Sequence, residues 1–265
     1  MVLLFAFIVI FQRGERKRIS PDFLSQLLNQ KKKGSYFFTF NSMIGIGTPD
    51  VGSGTGLPGS LISYPKTVVS GTKMLLFGIT CQFSGDEANS QFDTCDWKPD
   101  SGGSEPMTKI IEFTNNTVQS VSLWAIVNPT VDNGDIVIHF TNGTSVSADH
   151  AFMTNLTGSF YTVAASTGDT GVQSVSNPSV IYTVVGDAGV VFDLAMGNDS
   201  CEVGAGQTII FDNINKTVYR TGASYEEHTG SDPTLSYSTG AGGGVYAGAE
   251  IIESFAPAPK TATII

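Results

Sequence analysis

Between Lys73 and Ser254 the sequence is a succession of short β-type runs, each closed by Gly, Asn, Asp or Ser. The 3.6-residue periodicity of a helix is almost absent there. A chain patterned this way does not build a parallel α/β sheet, because crossover connections need helices that it does not encode. Even strand spacing with turn signals between leaves two packed antiparallel sheets or a closed barrel.

The runs can be placed. Leu61–Val69 carries Pro65 and reads as an edge strand or a bulge. Lys73–Phe83 is nearly continuous in apolar residues, which marks a central strand buried on both faces. Further strands are expected at 107–113, 118–127, 159–165, 180–185, 189–195, 207–213, 217–220 and 234–237. Asp135–Phe140 and Thr144–Ala148 flank Asn142-Gly143, the favoured type I′ pair, and read as a hairpin. In the last run Val245, Ala247, Ala249 and Ile251 share one face and Tyr246, Gly248, Glu250 and Ile252 the other. Both faces are partly apolar, which suits a mid-sheet position. Gly85 to Pro106 is polar and reads as a loop insert.

The chain has 265 residues, enough for one large all-β domain or two small ones. With 41% hydrophobic residues it can bury a core, while only 14% are charged, so Gly, Thr, Ser and Asn supply the turns and the polar surface. The net charge of −10 is unevenly spread: residues 1–33 carry +5 and the remainder −15. An acidic body repels nucleic acid and anionic membranes, so either contact is expected only through residues 1–33.

That arm begins with the apolar run Met1–Phe11, too short to span a bilayer. It has no basic residues before it and no small-x-small site after it, and reads as a truncated or non-functional leader. A short helix is expected next. Ser20 caps it, Pro21 suits its first turn, and Ile19, Phe23, Leu24, Leu27 and Leu28 gather on one face. With basic clusters on both sides it packs on the domain or a partner, lies on a membrane surface, or serves as a nucleic-acid arm. The organisation expected is an arm at 1–36, a Gly-rich linker at 37–59, a β-domain at 60–254 and an extended Pro-Ala tail at 255–265.

Catalytic patterns are missing from the sequence. There is no Gly-x-Ser-x-Gly elbow, and His139, His150 and His228 form no metal-ligand spacing. Glu226-Glu227 and Glu250/Glu253 are the acid pairs to consider for glycoside chemistry. Neighbours on a strand point to opposite faces, so Glu226 and Glu227 do not cooperate, and solvated acids are the simpler reading. Calcium is the one ion implied: Asp86, Glu87, Asp93 and Asp96 crowd the polar insert with hard oxygen ligands. Asp132-Asn133-Gly134-Asp135 is more simply a turn. Trp97, amid Asp, Lys and Pro, is expected to be exposed and, with Tyr225, to offer a stacking surface for a ligand; Trp124 is read as core. Cys81 and Cys95 bracket the insert and form a disulfide in an oxidising compartment, or else remain buried thiols like Cys201. Asn-x-Ser/Thr sequons stand at Asn115, Asn142, Asn155, Asn198 and Asn215.

The phrases Leu123-Trp124-Ala125-Ile126-Val127-Asn128-Pro129 and Gly204-Ala205-Gly206-Gln207-Thr208 resemble a β-sandwich domain family of phage, bacterial and archaeal surface proteins. The likeness extends from Tyr64-Pro65-Lys66-Thr67 and Lys73–Ile79, through Trp97 and Met107-Thr108-Lys109, to Tyr246–Ile251. It implies an all-β, two-sheet antiparallel sandwich of jelly-roll type with no catalytic residues. The expected function is a non-enzymatic structural or adhesive module of a virion, appendage or cell surface, self-associating or binding a surface glycan or protein. A carbohydrate-binding or carbohydrate-active module is the first alternative. A capsid-type subunit with a nucleic-acid arm is the second.

Overall fold

A computed structural model describes residues 45–52, 61–83, 92–114, 119–140, 146–158, 161–164, 179–181, 189–216, 219–228, 231–239 and 244–253. The expected arm helix, linker residues 53–60, the Asn142-Gly143 turn and the tail lie outside them. The described residues are all-β, with no helix. In chain order the strands are β1 (Gly45–Ile46), β2 (Asp50–Gly52), β3 (Leu61–Thr67), β4 (Thr72–Phe83), β5 (Phe92–Pro99) and β6 (Glu105–Pro106). Then come β7 (Thr108–Thr114), β8 (Gln119–Val127), β9 (Asn133–Phe140), β10 (Val146–Thr157), β11 (Tyr161–Ala164) and β12 (Ser179–Ile181). The rest are β13 (Gly189–Gly197), β14 (Glu202–Val203), β15 (Thr208–Lys216), β16 (Tyr219–His228), β17 (Thr234–Ser238) and β18 (Gly244–Glu253).

The described residues form four sheets, all antiparallel. An N-terminal large sheet has the order β1-β10-β4-β8-β7 with β2 also on β10, and its small companion is β3-β9-β5-β6. A C-terminal large sheet has the order β11-β18-β13-β16-β15, and its companion is β12-β17-β14. The two halves follow one path. Each starts on the edge of its large sheet (β2, β11), crosses to the small sheet (β3, β12) and returns to the centre of the large sheet (β4, β13). Each crosses again (β5, β14), forms a large-sheet hairpin (β7–β8, β15–β16), and fills the middle of the small sheet (β9, β17). The last strand (β10, β18) then closes between the first and the third. The sequence shows no such repeat, because the second half has shorter small-sheet strands.

The two large sheets pack face to face. Leu76, Leu123 and Phe152 from one meet Phe192, Leu194 and Val245 from the other in a single core. Phe152 and Phe192 stack at 6.1 Å. Gly78 permits this contact, since a Cβ there would lie 2.2 Å from Phe152 and 2.8 Å from Leu194. On its other face each large sheet packs against its own small sheet, through a Leu75–Phe77–Ile79–Trp97–Ile138 core in the first half and a Val191–Leu235–Tyr237–Tyr246 core in the second. Hence β4 is apolar at nearly every position: Met74 and Leu76 serve one core, Leu75, Phe77 and Ile79 the other.

Three sequence expectations need correction. β9 and β10 do not form a hairpin: β9 is paired with β3 and β5, and β10 with β4 and the β1/β2 edge, so both edges of each strand are taken. The polar insert contains strand β5. A bulge between Phe92 and Thr94 breaks its alternation, after which Cys95, Trp97 and Pro99 point inward. Residues 45–46 and 50–52 of the expected linker are strands on β10. The edges are blunted: β7 and β15 carry bulges, and β3 carries Pro65 beside an inward Lys66.

Candidate functional site

The structure separates the residues singled out by sequence. Asp86 and Glu87 lie outside the described residues; Asp93 is exposed on β5 and Asp96 half-buried. Among the described residues no group of three His, Cys, Asp or Glu is placed to hold a metal. Trp97 is fully buried and donates its indole N–H to the Thr130 carbonyl at 3.1 Å, so it is a core anchor and not an exposed platform. Tyr225 is half-buried, its ring tilted against Phe192 at 5.4 Å where the large sheets meet. Cys81 and Cys95 are free thiols in one core rather than a disulfide. Cys95 Sγ instead contacts Met107 Sδ at 3.6 Å. Burial pushes both thiols up and so suppresses the thiolate that disulfide exchange requires. Of the sequons, Asn155 is buried with its amide donating to Thr67 O at 3.0 Å, which closes it to a glycan in the folded chain.

The first phrase of the family resemblance runs along β8 and ends in a turn at Asn128, and the second is a turn leading into β15. Asn128 takes φ +53° and donates its N–H to Lys73 O at 2.7 Å, ending β8. Two residues on, Thr130 receives Trp97 through its carbonyl and donates its N–H to the Glu105 carboxylate at 3.1 Å. Trp124 is core, as expected, with the Lys109 ammonium 5.0 Å from its ring. In the second phrase Gly206, at φ +93°, turns the chain so that Gln207 reaches inward. Gln207 donates to Ser224 Oγ at 2.7 Å and accepts from Ser236 N at 2.8 Å.

Gln207 thereby joins a buried network. Asp193 Oδ1 accepts Ser224 Oγ at 2.6 Å and Tyr237 Oη at 2.7 Å, while Oδ2 has no partner. Burial pushes the Asp193 carboxyl up to about 7, against the lowering effect of these hydrogen bonds, and the Glu226 charge adds to the rise. The N-terminal half repeats the device: Tyr64 of its small sheet donates to buried Asp149 of its large sheet.

Next to Asp193 lies an acid pair that sequence reasoning missed. Val191 of β13 is directly opposite Glu226 on one side and Glu250 on the other, so the two acids share a face roughly 10 Å apart. In sequence the acids fall as Glu226-Glu227 and Glu250/Glu253, whereas the ladder brings together one from each pair. His228 reaches over β13 to Glu250, 3.0 Å from Nε2 to Oε1. Gly189 lets it cross: a Cβ there would stand 2.8 Å from His228 Nε2. Burial raises the Glu226 carboxyl, and His228 opposes the rise.

A second polar site lies on the surface, between the edge strands of the N-terminal pair. Lys66 and Asp50 form an ion pair at 2.5 Å, with side-chain exposures of 3% and 59%. It separates two adjoining hollows of about 520 and 640 Å³. Thr48, Thr67, Asn155 and Thr157 line the first, and Asp100, Asn133 and Asp135 the second. The signal in the sequence was Lys66 itself, which falls on the same alternation as buried Tyr64 and Val68.

No family model, curated protein or solved structure matches this chain.

Proposed function

We propose that this chain is a non-enzymatic, exposed structural or adhesive module of a virion, appendage or cell surface, built as two jelly-roll-like β-sandwiches in tandem. The observation that supports this most is where the signature phrases fall. The first phrase, Leu123–Pro129, runs along β8 and ends in the turn at Asn128, and the second is the turn before β15, where Gln207 joins Ser224 of the large sheet to Ser236 of the small one. Such groups set geometry and carry out no reaction.

The acids argue the same way. Glu226 and Glu250 share a sheet face, but a catalytic carboxyl must touch substrate or water. Glu250 is 4% exposed and held by His228, itself 4% exposed. Glu250 is thus closed to a substrate while the sheets stay packed, which leaves half-buried Glu226 as a single acid. The strand order supports the jelly-roll reading, since in both halves the chain alternates between facing sheets and closes the large one with its last strand. Bulged and proline-bearing edges favour self-association through loops and faces over edge-to-edge pairing.

The test is twofold. Purified chain incubated with nitrophenyl glycosides and esters is expected to show no turnover, and light scattering to show concentration-dependent association or retention on a ligand surface. Turnover that Glu226→Gln abolishes would overturn the reading.

A further inference from the structure

We propose that the hollow beside the Lys66–Asp50 pair binds a neutral pyranose, free or at the end of a surface glycan. This deepens the adhesive side of the function proposed above and rests on it. Two side chains of the hollow's lining are more than nine-tenths buried: Lys66 at 6% and Asn155 at 8% exposed. Asn155 spends its amide donor on Thr67 O, and its Oδ1 receives nothing. The Lys66 ammonium has three N–H groups and, among the described residues, one partner, Asp50. The lining therefore includes an acceptor and donors with unused capacity, together with the solvent-exposed Asp50 carboxylate.

Edge protection accounts for an inward lysine on β3. It does not account for a buried amide oxygen without a donor, which costs stability wherever it occurs. A ligand that meets this set must both donate and accept. A simple cation would meet the Lys66 ammonium. A simple anion would meet Asp50, with Asp100 and Asp135 in the adjoining hollow. A hydroxyl does both: it donates to Asp50 or Asn155 Oδ1 and accepts from Lys66. Adjacent hydroxyls on a ring match several such groups at once, and the Thr48, Thr67 and Thr157 hydroxyls around the hollow extend the match. Its volume, about 520 Å³, lies within the range of small-ligand sites. Ile46 and Val69 on the wall provide apolar contact for a ring face.

The full chain, fluorescently labelled, would be applied to a printed glycan array. The ¹⁵N-labelled chain would be titrated with the methyl glycosides of glucose, galactose and mannose, and with pentalysine and inorganic phosphate as charged controls. Array signal on neutral glycans is expected, together with amide shifts at Gly47, Asp50, Thr67 and Asn155. Asp50→Asn and Asn155→Ala should each weaken binding about five- to tenfold, the loss of one or two hydrogen bonds. Asp50 is surface-exposed, so its variant reports on binding even if Asn155→Ala unfolds. A silent array and unmoved groove amides would overturn the proposal, as would signal equal in wild type and Asp50→Asn, or groove shifts with pentalysine or phosphate alone. Any of these outcomes, with turnover still absent and association intact, leaves the structural reading standing. Turnover with sugar bound elsewhere would remove both.

Discussion

Tyr237 on β17 and Asp193 on β13 face each other across the C-terminal sheet pair, with phenol and carboxylate oxygens 2.7 Å apart and both side chains buried. The phenol is pushed well above its ordinary range by burial first and then by the Asp193 charge, so it stays a donor throughout the accessible pH range. Asp193 is the member that titrates, at about 7 in the folded chain against about 4 unfolded.

This relationship sets a pH dependence. Because the folded value is the higher, the native state holds its proton where the unfolded chain has lost it. Stability is therefore greatest below about pH 4 for this group and falls as pH climbs towards 7, on the order of a few kcal/mol in all. Asp193→Asn keeps an acceptor for Tyr237 and cannot ionise. Its melting temperature is expected to vary less between pH 4.5 and 8 than that of wild type and to exceed it at pH 8. Glu226, also raised, adds a smaller slope of the same sign that persists in the variant. Parallel slopes for the two proteins in differential scanning fluorimetry would contradict the assignment.

Gly189 is required by the contact above it. A methyl group there would lie 2.7 Å from Ile251 O and 2.8 Å from His228 Nε2, and the first neighbour is backbone that cannot swing away. Gly189→Ala is expected to cost about 1–3 kcal/mol, as overpacking does. Urea denaturation would measure it. A variant as stable as wild type would mean that His228 does not cross β13.

The three cysteines are expected to behave as core side chains. Ellman's reagent should find no reactive thiol in the native chain and three after denaturation, and reductant should leave the melting temperature unchanged. Fewer than three thiols under denaturing, non-reducing conditions would restore the disulfide.

Much of the fold was legible because both faces of β4 and β13 are apolar and because β18 alternates in register with its two neighbours. Strand β5 was hidden by one extra residue at its bulge, which shifted Cys95 and Trp97 out of phase with Phe92. Most of β16 was hidden by Gly222, Ala223 and Ser224, small residues chosen for close approach: a Cβ on Gly222 would stand 2.9 Å from Cys201 O. The hairpin error at Asn142-Gly143 had another origin. Turn chemistry reports how the chain bends locally and is silent on which sheet the next strand joins. The candidate sites were illegible for the same reason: Glu226 with Glu250, and Asp50 with Asn155, meet only through pairings between distant strands.

The two tryptophans separate a bonded indole from an unbonded one. Trp97 Nε1 donates to Thr130 O, whereas Trp124 Nε1 is buried without an acceptor. Replacing either ring by Phe removes some packing, but only Trp97→Phe also removes a hydrogen bond that holds the Asn128–Thr130 turn. Trp124→Phe removes a donor that was already costing stability. Trp97→Phe should therefore be the more damaging by about 1–2 kcal/mol, and Trp97→Ala should cost about 3–5 kcal/mol as a large buried ring. In the native chain both indoles should emit at short wavelength and resist acrylamide quenching, shifting red together on unfolding. Ready quenching of the Trp97 signal in a Trp124→Phe background would place that ring at the surface, and Trp97 would again be a candidate for stacking on a ligand.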